Sequence, residues 1–297
     1  MKVTTKILII LAALPAVVSC LLISIIGMGY TDTDTDTNQS EAKLEVQHIG
    51  LTPRECDSVS LPICSTFIMD SLIHIDGENI EDHLEAELEI TSPTAADKNK
   101  NIKPGTLVLP SALKKALRIS RKNNVLHLSF DASELAKWNK ENGRRYNRTI
   151  FYLTYYADKQ LEKVTTYPFV KCTLKSLHLP LLTMNLFGGD LTAEDSCSFQ
   201  SLRVVAFPYE SSSTCSLYQL FVDTLDLDLD NLSSWSVQES RVKVENLRGS
   251  EENNDVNYSP ETGSEVLNWL PKNEKASIQL KSKGAMTIRY NRSSAMK

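Results

Sequence analysis

The sequence predicts an all-β protein, with a parallel β-solenoid as the favoured architecture and a β-sandwich as the alternative. Residues 225–230 read Leu-Asp-Leu-Asp-Leu-Asp, the two-residue period of a strand with one buried and one solvated face. Apolar segments also begin at Leu177, Leu202, Leu220 and Val242. Intervals of about twenty residues are typical of solenoid coils, in which each strand pairs in parallel with the strand one coil away. A sandwich would need more hairpin turns.

Composition allows a sizeable core and argues against nucleic-acid binding. Of the 297 residues, 41% are hydrophobic and 23% are charged, which is ordinary for a globular protein. The net charge is -5, and the lysines and arginines are scattered along the chain. Eleven glycines are few for a barrel of tight hairpins.

The N-terminus predicts a membrane anchor. Lys2 and Lys6 precede a segment without charge, residues 7–29, which would span roughly 34 Å as a helix. The positive charges place residues 1–6 in the cytoplasm and the rest of the chain outside. We therefore predict a single-pass signal-anchor at 7–29, a flexible Thr- and Asp-rich linker at 30–43, and a head domain outside the membrane.

Two other processing routes remain open at this stage. A cleaved signal peptide would have a shorter apolar region and a small-residue cleavage site. Residues 17–20 read Val-Val-Ser-Cys, which resembles a lipoprotein cleavage box with Cys20 as the lipidated residue. However, residues 21–26 are as apolar as those before Cys20, whereas a mature lipoprotein normally continues with polar residues.

The predicted head has two parts, an N-terminal β part at 44–172 and C-terminal coils at 173–290. Residues 84–90 alternate, so Glu85, Glu87 and Glu89 form a solvated strand face. Residues 131–142 have helical spacing, and residues 164–174 are predicted to form one strand.

Several of these segments carry a resemblance to a known family. Residues 107–110 read Leu-Val-Leu-Pro, residues 177–183 read Leu-His-Leu-Pro-Leu-Leu-Thr, and the Leu-Asp repeat ends in Asn-Leu-Ser-Ser-Trp at 231–235. This order is similar to that of the bacterial family described as "putative auto-transporter adhesin, head GIN domain", over roughly residues 64–280. The resemblance implies an extracytoplasmic, right-handed parallel β-solenoid. The chain departs from the family pattern at Phe187-Gly188-Gly189, and the family supplies no catalytic residues to transfer.

The strongest candidate for a metal site is Asp226, Asp228 and Asp230, which would project from one strand face about 7 Å apart. A hard cation such as calcium would relieve their repulsion. An EF-hand loop is excluded, because Asn231 stands where it needs Gly and Val237 where it needs Glu. A solvated face with no metal is the favoured interpretation, and no cofactor is predicted.

Other candidate chemistry is weaker. The five histidines lack zinc spacing, no Gly-x-Ser-x-Gly elbow or phosphate loop occurs, and a triad assembled in space stays open. Cys197 is a conceivable nucleophile, but the cysteines are better explained as small buried residues, with Cys197 and Cys215 on neighbouring rungs. An aromatic cluster could bind glycans or fill the core; its members are Tyr152, Tyr155, Tyr156, Tyr167 and Phe169.

Two functions from different classes follow. The favoured one is a non-enzymatic, adhesin-like module, tethered to the membrane, which offers a solenoid surface to an envelope protein or a glycan. The alternative is a carbohydrate-active or hydrolytic solenoid enzyme, which would need at least two acidic or basic groups converging in one groove.

Overall fold

A computed structural model describes residues 46–72, 83–99, 102–142, 148–209, 212–249, 261–262, 264–272, 278, 281–282 and 286–290. The predicted anchor at 7–29, the linker at 30–43 and Cys20 lie outside these residues. Within them, no helix is both long enough and apolar enough to cross a membrane.

The described chain is almost entirely β-structure. The two α-helices are α1 (Ala95–Asn99) and α2 (Ala132–Asn142), and short 3-10 helices occur at Pro53–Glu55 and Ser111–Leu113. The strands are β1 (Val46–Ile49), β2 (Cys56–Ser60), β3 (Thr66–Met69), β4 (His83–Thr91), β5 (Thr106–Pro110), β6 (Leu117–Lys122), β7 (Val125–Phe130), β8 (Arg148–Tyr156), β9 (Lys163–Thr166), β10 (Val170–Lys175), β11 (His178–Leu186), β12 (Asp190–Glu194), β13 (Ser198–Ala206), β14 (Ser213–Tyr218), β15 (Phe221–Asp228), β16 (Leu232–Gln238), β17 (Arg241–Arg248), β18 (Glu261–Thr262), β19 (Ser264–Leu270), β20 (Lys281–Ser282) and β21 (Thr287–Tyr290).

The strands form two large sheets. In sheet 1 the order is β16-β14-β12-β10-β4-β8-β5-β2, with β1 also paired to β8. In sheet 2 the order is β21-β19-β17-β15-β13-β11-β9-β3-β7-β6, and β18 and β20 form a small third sheet. Buried side chains from both large sheets belong to one hydrophobic cluster.

From β9 to β17 the chain alternates between the two sheets, and each strand from β9 to β15 pairs in parallel with the strand two further on. We call one sheet 1 strand and the sheet 2 strand that follows it a coil. The predicted pairing with the strand one coil away is therefore confirmed, and β14 and β15 lie in different sheets instead of forming an antiparallel hairpin. Antiparallel pairs occur at β2, β5, β6 and their partners.

Two strands from early in the sequence lie inside the large sheets and not at their edges. Strand β3 lies between β7 and β9 in sheet 2, and β4 lies between β8 and β10 in sheet 1. Both large sheets therefore contain strands from each of the two predicted parts of the head.

Coils turn from sheet 1 to sheet 2 at residues with a left-handed backbone, and these residues are not glycines. The φ angles are 45° at Ser176, 62° at Ser196, 53° at Gln219 and 49° at Glu239. These corners recur at about twenty residues. The residue after each corner is buried, and the buried residues are Leu177, Cys197, Leu220 and Ser240.

The facing predicted for residues 225–230 is confirmed, since Leu225, Leu227 and Leu229 are each 0% exposed. Leu202 and Val204 of β13 pair in register with Leu225 and Leu227 of β15. The predicted single strand at 164–174 is wrong, because β9 ends at Thr166 and a turn through Phe169, with φ 62°, leads into β10. The helix predicted at 131–142 is α2, whose first-turn N–H groups donate to the Asp131 carboxylate.

Candidate functional site

Sheet 2 strands share a bend that interrupts their alternation. In β15, Val222 and Leu225 both point inward, while Asp223 and Thr224 between them point outward. The same pattern, two outward residues between two buried ones, occurs in β11, β13 and β17. Because the strands are in register, these bends lie side by side along the stack.

The aligned bends form an open groove of about 700 Å³. One row of outward residues crosses it in register, from His178 through Ser198 and Phe221 to Arg241. Four strand spacings of about 4.8 Å give the groove a length of roughly 19 Å. Its lining comes from five sheet 2 strands and one preceding loop: Lys159, His178, Leu179, Pro180, Ser198, Phe199, Gln200, Phe221, Val222, Asp223, Arg241, Lys243 and Glu265.

The groove combines an exposed ring with polar and charged groups. Phe221 is 48% exposed, which leaves its ring open to a ligand. Lys243 Nζ lies 2.6 Å from Asp223 Oδ1, and this hydrogen bond raises the pKa of Lys243. Neither Lys159 nor Arg241 has an ion-pair partner among the described residues, so the groove carries a small positive excess.

A serine–histidine pair lies at one end of the groove, where His178 Nδ1 is 2.7 Å from Ser198 Oγ. In a catalytic triad a carboxylate orients the histidine through its second ring nitrogen. No carboxylate of a described residue forms a hydrogen bond or ion pair with His178, and the groove carboxylate of Asp223 is bound to Lys243 instead.

The two groove acids are also poorly arranged for glycoside hydrolysis. Val222, Val242 and Ser264 pair in register on β15, β17 and β19. The residues that follow them are Asp223, Lys243 and Glu265, so Lys243 is on the strand between the two strands that carry the acids. A hydrolase needs one protonated and one ionised carboxyl on either side of the scissile bond. Here the side chain between the two acids is a lysine, and it forms an ion pair with Asp223. The arrangement therefore fits binding better than hydrolysis.

The candidate metal residues do not line this groove. Arg248 holds Asp226 through two hydrogen bonds of 2.6 and 3.1 Å, and Lys272 Nζ lies 2.8 Å from both Asp228 Oδ1 and Asp230 Oδ2. The side chains of Asp226 and Asp228 are 19% and 15% exposed, so the expectation of a solvated face is corrected to a half-buried, ion-paired one. No cluster of three or more potential metal ligands occurs among the described residues.

The outward glutamates of β4 are likewise paired. Glu85 accepts two hydrogen bonds from Arg148, and Glu87 and Glu89 face Lys171 and Lys175 at 3.7 and 3.8 Å. These groups lie on sheet 1, away from the bends of sheet 2, and form a charged surface.

The five cysteines of the described residues are free and mostly buried. Cys197 and Cys215 do not occupy neighbouring rungs. Cys197 is at a corner, where its Sγ lies 3.4 Å from the Leu177 nitrogen, whereas Cys172 and Cys215 flank Leu191 in sheet 1. Burial raises the pKa of the Cys197 thiol to about 11, which argues against a nucleophile.

The predicted aromatic cluster is dispersed. Tyr155 is fully buried and stacks on Phe67 at 4.5 Å, whereas Tyr152 contacts His48. Tyr167 belongs to a different stack, with Phe187 at 5.0 Å. Sequence inspection missed that stack and the groove, although both follow from a recurring order of buried residues at the second, fifth and seventh positions of sheet 2 strands.

No family model matches the chain, and no curated protein matches it. Three crystal structures are similar to it at low identity. One is described as a "putative lipid binding protein" from Parabacteroides distasonis, with 12% identity, 84% of this chain and 100% of that chain covered, and a TM-score of 0.38. A "putative adhesin" from the same species has 9% identity and a TM-score of 0.39, and the match covers 83% of this chain and 100% of that chain. A "putative adhesin" from Parabacteroides merdae has 8% identity, covers 84% and 100%, and has a TM-score of 0.23.

Proposed function

We propose that this chain is a non-enzymatic, adhesin-like binding module of the bacterial cell envelope, and that its groove binds a glycan chain. In this proposal residues 7–29 anchor the chain in the membrane and the two parts of the head, 44–172 and 173–290, form one periplasmic, right-handed parallel β-solenoid. Parallel pairing between coils and corners at about twenty residues support the solenoid over the sandwich.

The observation that carries the function is the continuous groove in which successive coils place Ser198, Gln200, Phe221 and Asp223 side by side. A pyranose has apolar C–H faces that pack on a ring such as Phe221, and hydroxyls that bond to hydroxyl, amide and carboxylate groups. A groove of roughly 19 Å accommodates several sugar units.

An extended protein segment fits this groove less well. Strands β13, β15 and β17 are each paired on both sides, so their backbone groups are used within the sheet. A peptide that adds as a strand needs an unpaired edge. Recognition here must therefore depend on side chains alone, which suits a ligand rich in hydroxyls.

A glycan array tests the proposal. The full-length chain, in a detergent without a sugar headgroup, should bind a subset of oligosaccharides with an affinity that rises with chain length. Phe221→Ala should weaken that binding about tenfold. Ile119→Ala removes an apolar side chain of similar exposure, 43%, outside the groove and should have no effect. Binding to no oligosaccharide, or equal losses in both variants, would refute the proposal; capture of an envelope protein in place of a glycan would reassign the ligand.

The Ser198–His178 pair keeps the hydrolase as the competing function. Incubation of the chain with its bound oligosaccharide should leave the oligosaccharide intact by mass spectrometry. Release of shorter products by the wild-type chain but not by His178→Ala would replace the binding module with an enzyme.

The proposed tether has its own test. The chain should remain in membranes after an alkaline carbonate wash, and its N-terminus should be unprocessed. A mature chain that begins at a lipidated Cys20 would make it a lipoprotein, and one that begins near Tyr30 would indicate ordinary signal cleavage.

A further inference from the structure

Three aromatic rings stack at the carboxyl ends of consecutive sheet 2 strands. The ring centroids of Tyr167 and Phe187 are 5.0 Å apart with planes at 9°, and those of Phe187 and Phe207 are 4.6 Å apart at 6°. These separations match the strand spacing of about 4.8 Å, so the rings stack in the direction in which the coils stack. All three rings are partly exposed. We call Tyr167, Phe187 and Phe207 the ring stack.

The ring stack ends at Tyr167, where the next strands carry short polar side chains. Met69 at the end of β3 pairs with Thr166 and with Leu128, so the next residue, Asp70, lies beside Tyr167 on one side and beside Ser129 of β7 on the other. No ring of a described residue stacks on the face of Tyr167 that is turned away from Phe187. A cavity of about 350 Å³ opens at this place, lined by Asp70, Ser71, Ser129, Phe130, Tyr167, Pro168 and Tyr209.

The cavity offers a carboxylate acceptor beside a ring. Asp70 Oδ2 lies 2.9 Å from His127 Nε2, although the two atoms are not aligned for a hydrogen bond, and Asp70 Oδ1 makes no hydrogen bond to another described residue. Phe130 and Tyr209 add two further rings to the walls, and Tyr209 is 48% exposed. Ring walls with a few well-placed polar groups are typical of small-molecule sites.

We propose that this cavity binds one pyranose unit, which stacks on the open face of Tyr167 as the next member of the ring stack and donates a hydroxyl hydrogen bond to Asp70 Oδ1. The volume suits one or two sugar units. A sugar fits better than an apolar ring, because Asp70 and Ser129 require a ligand with several hydrogen-bonding hydroxyls. This site is at the carboxyl ends of sheet 2 strands, whereas the groove crosses their amino-terminal halves, so it is independent of the proposed function.

The test uses the full-length Phe221→Ala chain, in which groove binding is weakened, in a detergent without a sugar headgroup. Saturation-transfer NMR with the methyl glycosides of glucose, galactose, mannose and N-acetylglucosamine should detect binding of at least one. Asp70→Asn and Tyr167→Ala should each weaken that binding about tenfold or more. Tyr167→Phe, which keeps the ring, and Phe207→Ala, which alters the far end of the ring stack, should leave the affinity within about threefold of the parent chain.

Each other outcome overturns the inference. If none of the four glycosides binds, or if Asp70→Asn and Tyr167→Ala bind like the parent chain, the cavity is not a sugar site. If indole binds there and the glycosides do not, the ligand is an aromatic ring instead of a sugar. Loss of binding in Phe207→Ala equal to that in Tyr167→Ala would show that the effect comes from disruption of the ring stack.

Discussion

Replacement of Leu225 by alanine tests whether the inward face of β15 stabilises the stack. Leu225 is 0% exposed and lies in register between Leu202 on β13 and Glu245 on β17. The change removes three carbon atoms, worth about 2.4 kcal/mol at about 0.8 kcal/mol per buried methylene. The cavity left between paired coils cannot collapse freely, so the total loss of unfolding free energy should be about 3–4 kcal/mol.

The matched change on the outward face is Asp226→Ala, one residue further on. On a fully solvated face this change would be nearly neutral, since a carboxylate beside two others is repelled. The structure revises this, because Asp226 accepts two hydrogen bonds from Arg248 with its side chain 19% exposed. Loss of this partly exposed pair should cost about 1 kcal/mol.

Urea unfolding of the full-length chain, followed by circular dichroism, measures both changes. The Leu225 variant should lose about three times as much stability as the Asp226 variant. Equal slopes against urea would confirm that the variants unfold over the same surface, which matters because stacked coils can unfold in parts. An Asp226→Ala loss that equals or exceeds the Leu225→Ala loss would refute the assigned facing.

Three further predictions follow from charge and burial. Lys272→Met removes the cation shared by Asp228 and Asp230. Calcium should therefore raise the melting temperature of this variant and not of the wild type, and equal responses would contradict this. Several contacts lower the pKa of Asp131 to about 2, and the hydrogen bond from the Ser133 side chain has the largest effect. Because the pKa of Asp131 in the folded chain lies below the unfolded value of about 3.9, the wild type should melt at a higher temperature than Asp131→Asn above pH ~4. This difference in melting temperature should vanish as the pH falls towards 2, and a pH-independent difference would refute the prediction. Iodoacetamide should label the half-buried Cys56 but spare Cys215, whose pKa burial raises to about 12; rapid labelling of Cys215 would mean that the interior opens.

Local alternation predicted the parts of the fold that depend on local pattern. The inward leucines of β15 and the inward face of β4 follow from a two-residue period, and α2 follows from helical spacing. Such features need no knowledge of what lies on the next strand.

The bends could not be predicted in this way. Strict alternation from Val242 places Val244 inside and Glu245 outside, whereas the structure buries Glu245 completely and leaves Val244 partly exposed. The bend adds one outward residue and so shifts every later residue to the opposite face. The groove arises from these shifts, so strict alternation predicts the strands but not the groove.

The corners and the long-range ion pairs could not be predicted from the sequence, for different reasons. Serine, glutamine and glutamate adopt the left-handed backbone at the corners, where glycine would have been a recognisable signal. The ion pairs that replace the predicted solvated carboxylates join residues such as Lys272 and Asp228, which lie on different coils. Neither their partners nor the position of β3 between β7 and β9 follows from neighbouring residues in the sequence.

Hydrogen–deuterium exchange with the tightest-binding oligosaccharide of the array tests the central claim, that the groove of aligned bends is the ligand surface. The account predicts slowed exchange at residues 178–180, 198–200, 221–223 and 241–243 together, because one extended ligand crosses all four strands. Protection confined to the outer face of sheet 1, or to a single coil, would contradict it.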